Sequence, residues 1–181
     1  MTMATSTPWG MSDQKKRIAV GIMFYGTPSH GGFHVSAKKN ELIPSYFRSK
    51  DGWYEEDTEW AFVALSFPQY FSQQDSEDAA LTVKNYWYEK YEEHFNVVLA
   101  PGESRDKDEK MFYEQHKNDW VAISASNADN HKVAVYASLG GIRDFENARV
   151  FLVPAIEYAQ RGVAFVIDLD KHQENKIITV D

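Results

Sequence analysis

Two β-prone apolar runs joined by one turn signal constrain this chain more than any other feature. "RIAVGIMFYG" (Arg17–Gly26) and "GGFHVS" (Gly31–Ser36) flank the turn residues Thr27, Pro28, Ser29 and His30. The first run is continuously apolar, and in the second Phe33 and Val35 share one face while His34 takes the other. Proline presets its own φ and glycine adopts conformations closed to other residues, so "TPSHG" suits a five-residue hairpin connection. An N-terminal β-hairpin is therefore predicted, with each run as one strand.

Helical patterning follows. "SAKKNELIPSYFRSKDG" reads as a loop with one or two helical turns, limited by Pro44. "DGWYEEDTEWAFVALSFPQYF" is predicted as a helix that stops near Pro68. Trp53, Trp60, Val63, Ala64 and Phe67 give it one apolar face, and Glu55, Glu56 and Asp57 oppose the dipole in its first turn. "DSEDAALTVKNYWYEKYEEHF" is the clearest helix, capped by Asp75 or Ser76, with Ala80, Val83, Trp87 and Tyr91 in one stripe. Pro101 and Gly102 open a charge-rich linker, and a short helix is expected from about Glu103 to Lys117.

The C-terminal third reads as strands. "DWVAISAS" and "HKVAVYASLGG" form a hairpin signal around "NADN", "RVFLVP" is a third strand, "VAFVIDLD" a fourth and "NKIITV" a fifth. "PAIEYAQRG" begins with proline and ends in glycine, as a short helix does, with Tyr158 expected to pack inward. The predicted class is α+β: an N-terminal β-hairpin and helices, with a C-terminal mainly antiparallel sheet and short helix. Residues 1–12 read as a disordered tail and 13–181 as one composite domain, with a sub-boundary near Pro101 as the alternative.

Composition narrows the function classes. Hydrophobic residues make up 43% and aromatics 14% of 181 residues, enough apolar surface for a core without staples. The chain has no cysteine, which excludes disulfides, thiolate metal ligands and a cysteine nucleophile. A net charge of −8, from 27 acidic and 19 basic residues, argues against direct nucleic-acid binding. The short basic groups Lys15–Arg17 and Lys38–Lys39 read as solvated surface. No apolar run approaches membrane-spanning length, and the first residues lack the apolar core of a signal peptide.

Chemistry-bearing constellations are few. The phosphate-loop, dinucleotide, nucleophile-elbow and zincin signatures are all missing. His30 and His34 lie four apart, which places both rings on one face of an ideal strand, but His30 falls in the turn and no third histidine ligand accompanies them. No metal and no cofactor is expected. Ser29, Gly31 and Gly32 offer consecutive backbone N–H groups that can converge on an anion beside His30 as an acid/base group, against the plainer reading of turn geometry. Glu55, Glu56 and Asp57 lie between Trp53 and Trp60, as carboxylates do in sugar or acid/base sites, against the plainer reading of a solvated helix start. The candidate catalytic residues are thus His30, Glu55, Glu56 and Asp57, and the candidate ligand-binding residues Ser29, Gly31, Gly32, Trp53 and Trp60. Arg143, Arg149 and Arg161 suit an anion or surface ion pairs with Asp144, Glu146 and Glu157.

Four phrases together resemble a bacterial domain family of unknown function: "TPWG" (Thr7–Gly10), "SHGGFHVS" (Ser29–Ser36), "GWYEEDTEWAFVALSFP" (Gly52–Pro68) and "FLVPAIEYAQRG" (Phe151–Gly162). The resemblance runs from about Thr7 to about His172, with 75–118 matching less clearly, as an insertion would. Such domains occur in plasmid-borne, conjugative-element and phage proteins, alone or within long polyvalent proteins. The resemblance implies a mobile-element accessory protein in the cytoplasm of a bacterial host. It carries over no catalytic residues.

Two readings compete. The first is a non-enzymatic counter-defence or host-interaction factor with a protein partner, motivated by the acidic balance and the aromatic-rich segment Asp75–Phe95. The second is an enzyme or small-ligand binder whose site joins the His30 turn to the Glu55–Glu59 segment.

Overall fold

The computed structural model describes residues 4–175. The fold is mixed α+β, and the chain divides into two compact units, Met1–Asp106 and Lys107–Asp181.

The first unit opens with a ribbon of β1 (Ser6–Thr7) and β2 (Gly10–Met11), in a segment read from the sequence as a tail. Thr7 closes its turn: the hydroxyl donates to the Gly10 carbonyl and accepts the Trp9 N–H, at 2.8 and 3.2 Å. A four-stranded antiparallel sheet follows, in the order β3 (Gln14–Ala19), β4 (Ile22–Gly26), β5 (Gly31–Val35) and β6 (Trp53–Glu55).

Two sequence expectations change here. The run Arg17–Gly26 is not one strand; it folds back at Val20–Gly21, where Gly21 takes a φ of +81°. Continuous apolarity hid that turn, since only the glycine signals it. The run beginning at Trp53 is a strand before it is a helix. Tyr54 pairs with Phe33, and the helix α2 spans only Trp60–Ser66. The predicted β4–β5 hairpin forms, closed by Thr27 N–H to the His30 carbonyl at 2.7 Å and His30 N–H to the Thr27 hydroxyl at 3.1 Å.

Period-2 alternation gives this sheet two different faces. Ile22, Phe33, Val35 and Tyr54 are buried in the core with Ile43, Phe47, Ala61–Ala64, Phe67, Ala79 and Val83. The short helix α1 (Ala37–Asn40) begins the connection that supplies Ile43 and Phe47. Phe47 stacks on Phe62 at 4.7 Å and 16°, an arrangement worth about 0.5–1.5 kcal/mol beyond its buried area.

Helix α3 (Gln73–Tyr86) starts earlier than expected, because Ser72 rather than Asp75 or Ser76 is its cap. Ser72 and Asp75 form a reciprocal capping box, with the Asp75 N–H donating to Ser72 Oγ at 3.0 Å. The helix also breaks where the sequence suggested continuity. Trp87 leaves helical geometry (φ −142°, ψ 47°), and α4 (Tyr88–Phe95) begins after it. Three successive aromatics, Tyr86–Tyr88, have restricted χ1 freedom in a helix, and Trp87 instead packs edge-on against Phe62 at 5.6 Å.

Helix α5 (Arg105–Gln115) forms within the expected range. The second unit carries a four-stranded antiparallel sheet in the order β10 (Gln173–Glu174), β9 (Arg149–Pro154), β8 (Lys132–Leu139), β7 (Trp120–Asn127). The β7–β8 hairpin is the predicted one, turned through Asn130 and His131, both at positive φ. Helix α6 (Ala155–Ala159) follows β9, and Tyr158 packs on Phe165 at 5.4 Å as expected. "VAFVIDLD" does not make a full strand. It touches the β7 edge through one bridge, Val121 to Val166, flanked by bonds of 2.8 Å from Ala122 N–H to the Phe165 carbonyl and from Ile167 N–H to the Trp120 carbonyl. Burial of Phe165 and Ile167 in the second core drives that docking without a longer ladder. The expected strand "NKIITV" lies outside the described residues, apart from Asn175, whose N–H donates to the Val150 carbonyl at 2.7 Å.

Candidate binding clefts of the first unit

The residues singled out in the sequence occupy several distinct places. His30 and Ser29 are exposed at the hairpin tip. Gly31 and Gly32 belong to the ladder, opposite Gly26 and Tyr25, and both are buried. Close packing accounts for them. A Cβ on Gly31 would meet Phe24, the Tyr25 carbonyl and Glu56, and one on Gly32 would meet the Trp9 ring and the Tyr54 carbonyl.

The acidic segment closes a turn. The Glu55 carboxylate accepts the N–H groups of Asp57 and Thr58 at 2.7 and 3.2 Å, and the Glu59 carboxylate accepts the Glu55 N–H at 3.2 Å. Asp57 is exposed. Glu56 is the one acid of this group placed beside Gly31 and hence beside the His30 turn, and its N–H donates to the Gly31 carbonyl at 3.1 Å. The two tryptophans part company. Trp53 packs with Trp9, Tyr25 and His34, at centroid separations of 5.7, 5.4 and 4.6 Å, whereas Trp60 stands on α2 on the other side of the sheet.

Trp60 lines the first cleft, an open space of about 370 Å³. Its floor is Ile18, Phe24 and Phe33 of the sheet, and its far wall is Trp60, Tyr70 and Phe71. Phe33 and Phe71 face each other at 5.8 Å, and Phe24 meets Phe33 at 5.4 Å. Two charges stand at its rim, Lys16 and Asp75. The Ser72 hydroxyl and backbone N–H hold the Asp75 carboxyl below the usual range, with the Lys16 ammonium adding to the effect. Asp75 is therefore engaged in the helix cap, which leaves the Lys16 ammonium as the rim charge available to a ligand. Chemically the cleft suits a flat or branched apolar group next to a negative charge.

A second, polar cleft of about 340 Å³ lies between β5 and the 37–52 connection. His34, Glu41, Lys50 and Asp51 line it with the backbone of Val35 and Gly52. Its wall is fixed by Asn40, whose amide donates to the Ser49 carbonyl at 2.8 Å and whose oxygen accepts the Tyr54 hydroxyl at 2.5 Å. The Ser49 hydroxyl and the Trp53 N–H hold the Asp51 carboxyl low, and His34 contributes.

The arginines of the C-terminal part sit on aromatic rings. Arg149 lies 4.5 Å from the Trp120 ring and 3.7 Å from Glu174, Arg161 stacks on Tyr158 at 4.3 Å, and Arg143 lies 5.8 Å from Phe145. Among the described residues, no group of three His, Asp or Glu side chains is placed to share a metal ion, and no helix is long and apolar enough to cross a membrane.

Sequence reasoning found Trp60 but missed its companions. Lys16 and Ile18 share a parity on β3, and Phe24 pairs with Lys16 on β4 and with Phe33 on β5. That alternation exposes the cleft floor once the turn at Val20–Gly21 is recognised.

Residues 2–117 match the family model described as "Domain of unknown function (DUF7007)", and the chain belongs to that family. The match includes the 75–117 stretch and ends before the phrase "FLVPAIEYAQRG". No curated protein and no solved structure matches the chain.

Proposed function

We propose that this member of the DUF7007 family is a binding protein that seats an apolar side chain of a protein partner in the cleft between the sheet and Trp60, Tyr70 and Phe71. The observation that carries this reading is the convergence of five rings, from β4, β5, α2 and the Tyr70–Phe71 segment, on one open space with a lysine at its rim. A volume of about 370 Å³ is near the lower bound for small-molecule pockets and has room for one large side chain. Buried aromatic contacts of this kind supply most of the energy of protein interfaces. The engagement of Glu55 and Glu59 in turn closure also supports binding over acid/base chemistry at that segment. In the setting that the sequence phrases suggest, the protein is a plasmid- or phage-borne accessory factor, its partner is a host protein, and the outcome is counter-defence.

The test uses tryptophan emission. Titration with capped pentapeptides carrying a central phenylalanine or leucine is expected to give a saturable change that vanishes in Trp60→Phe. Tyr70→Ala is expected to weaken it tenfold or more, and at 40% exposure that residue is replaceable without loss of the fold. A glycine-centred peptide that binds equally well, or no saturation at millimolar peptide, overturns the reading.

A second reading attaches to the polar cleft, because it brings an imidazole, His34, into one space with carboxylates of Glu41 and Asp51 and with Lys50. Here the protein takes a small zwitterionic or polyhydroxylated ligand. The turn of His30, with Glu56 beside Gly31, is the other place for such a ligand. Nuclear magnetic resonance titration of the His34 ring against an amino-acid and sugar panel tests it; shifts unchanged by every compound reject it.

A further inference from the structure

The aromatic cleft opens beside β3, and β3 is the edge strand of its sheet. Its partner is β4 on one side, and among the described residues no backbone group bonds to the other side. In an antiparallel pair about half of a strand's N–H and C=O groups point away from the partner. Those of β3 form a template for one more strand.

The side chains of β3 state what such a strand must carry. Gln14, Lys15, Lys16 and Arg17 are all exposed. Lys16 and Ile18 lie on the cleft face, whereas Lys15 and Arg17 lie on the opposite face, Lys15 over the Tyr25 ring at 5.2 Å. Among the described residues, no salt bridge engages Lys15, Lys16 or Arg17. This local basicity stands out in a chain of net charge −8.

Lysines on an edge strand ordinarily deter pairing with another copy of the same chain. Two β3 strands laid side by side would bring like charges into register, which is unfavourable. The same residues favour a strand of opposite charge. The strand is regular from Gln14 to Arg17, before the register shift between Arg17 and Ala19. At about 3.3 Å per residue, its six residues accept a segment of about 20 Å.

We infer that the partner of the cleft is an extended acidic segment that adds to the sheet along β3, alternating carboxylates with apolar side chains. This inference rests on the binding reading above and adds the backbone geometry and the charge of the occupant. Carboxylates on one face of the added strand meet Lys15 and Arg17. An apolar side chain on the other face enters the cleft beside Ile18, Phe24 and Phe71, with Lys16 at the rim of that same face. Main-chain bonds supply affinity, and the pocket and charges supply selection.

The probe is a capped hexapeptide alternating glutamate with phenylalanine or leucine, added to the full chain. Hydrogen exchange is expected to slow by tenfold or more at β3 amides that face away from β4. A peptide of the same sequence, N-methylated on the edge that would pair, is expected to bind at least tenfold more weakly. Lys15→Glu with Arg17→Glu is expected to weaken binding of the acidic peptide by a similar factor and to favour a lysine-containing analogue. Both positions are exposed, so the fold tolerates the change.

The failures separate. Saturable Trp60 emission with unchanged β3 exchange, or equal affinity for the N-methylated peptide, overturns strand addition and leaves the cleft reading standing. Slowed β3 exchange with no response to Tyr70→Ala supports strand addition and rejects the cleft as its anchor. Equal binding of acidic and basic peptides overturns the assigned charge.

Discussion

The indole of Trp9 rests against Gly32, in the space that a side chain at that position would fill. A loop residue from the β1–β2 ribbon thereby covers the sheet face opposite the core, meeting Trp53 edge-on at 5.7 Å. The fixing device is the absence of a Cβ on the middle of β5, since the Tyr54 carbonyl closes the remaining space.

Gly32→Ala is therefore expected to displace Trp9 and destabilise the first unit by about 1–3 kcal/mol, as overpacking does. Urea denaturation measures the loss, and near-ultraviolet circular dichroism should show weakened coupling of the Trp9–Trp53 pair. Adding Trp9→Ala to the glycine variant should recover only part of the stability, because the Tyr54 carbonyl still obstructs.

Ser72 sets the start of α3 through its box with Asp75. Ser72→Ala is expected to cost about 1 kcal/mol, and Ser72→Gly only a few tenths. Thermal unfolding should show a fall of several degrees for alanine and little for glycine. No loss in the alanine variant would mean that the cap contributes nothing.

The buried Tyr54 hydroxyl donates to Asn40 at 2.5 Å and accepts the Ser49 N–H at 2.9 Å. Tyr54→Phe removes no packing but strands both partners. The expected loss is about 1–3 kcal/mol, the cost of leaving buried polar groups unmet. Hydrogen exchange should also accelerate at Ser49, which would mark loosening of the wall of the polar cleft.

His94 gives a pH dependence. Its Nδ1 lies 3.0 Å from the Tyr46 hydroxyl, and its ring packs on Phe47 and Phe95 at 4.9 and 4.7 Å. Burial holds the imidazole below the usual histidine range. The unfolded chain then binds the proton more readily, so stability is fully present above pH 6.5 and declines as pH falls toward the lowered folded value. Urea midpoints across that window should fall with acid in the parent and less steeply in His94→Gln. Identical slopes would exclude His94 as a source.

What the sequence made legible was local. The β4–β5 and β7–β8 hairpins show because their turn chemistry and alternation lie within one short window. Helix α3 shows through its apolar stripe and acidic start, although its cap is Ser72 and not the predicted Asp75 or Ser76. The strand at Trp53–Glu55 was hidden by the acids after it. "EEDTE" has the composition of a helix start, but Glu55 spends its carboxylate on the N–H groups of Asp57 and Thr58, which closes a turn instead. The break at Trp87 was hidden for another reason: a periodic stripe predicts which face is buried, not that one ring must leave the helix to reach Phe62. Of the candidate site residues, Trp60 lies in the aromatic cleft and Glu56 beside the His30 turn. The cleft floor depends on strand register between Lys16, Phe24 and Phe33, which no single window contains.

The guanidinium of Arg149 lies 4.5 Å from the Trp120 ring in the second unit. The other tryptophans, Trp9, Trp53, Trp60 and Trp87, all precede Asp106. Each unit thus carries its own optical label. Trp120→Phe silences the second unit and leaves the first to be followed alone, while changing the four upstream indoles to phenylalanine does the reverse. Whether the two units melt together or in sequence becomes a question for one fluorimeter and two variants.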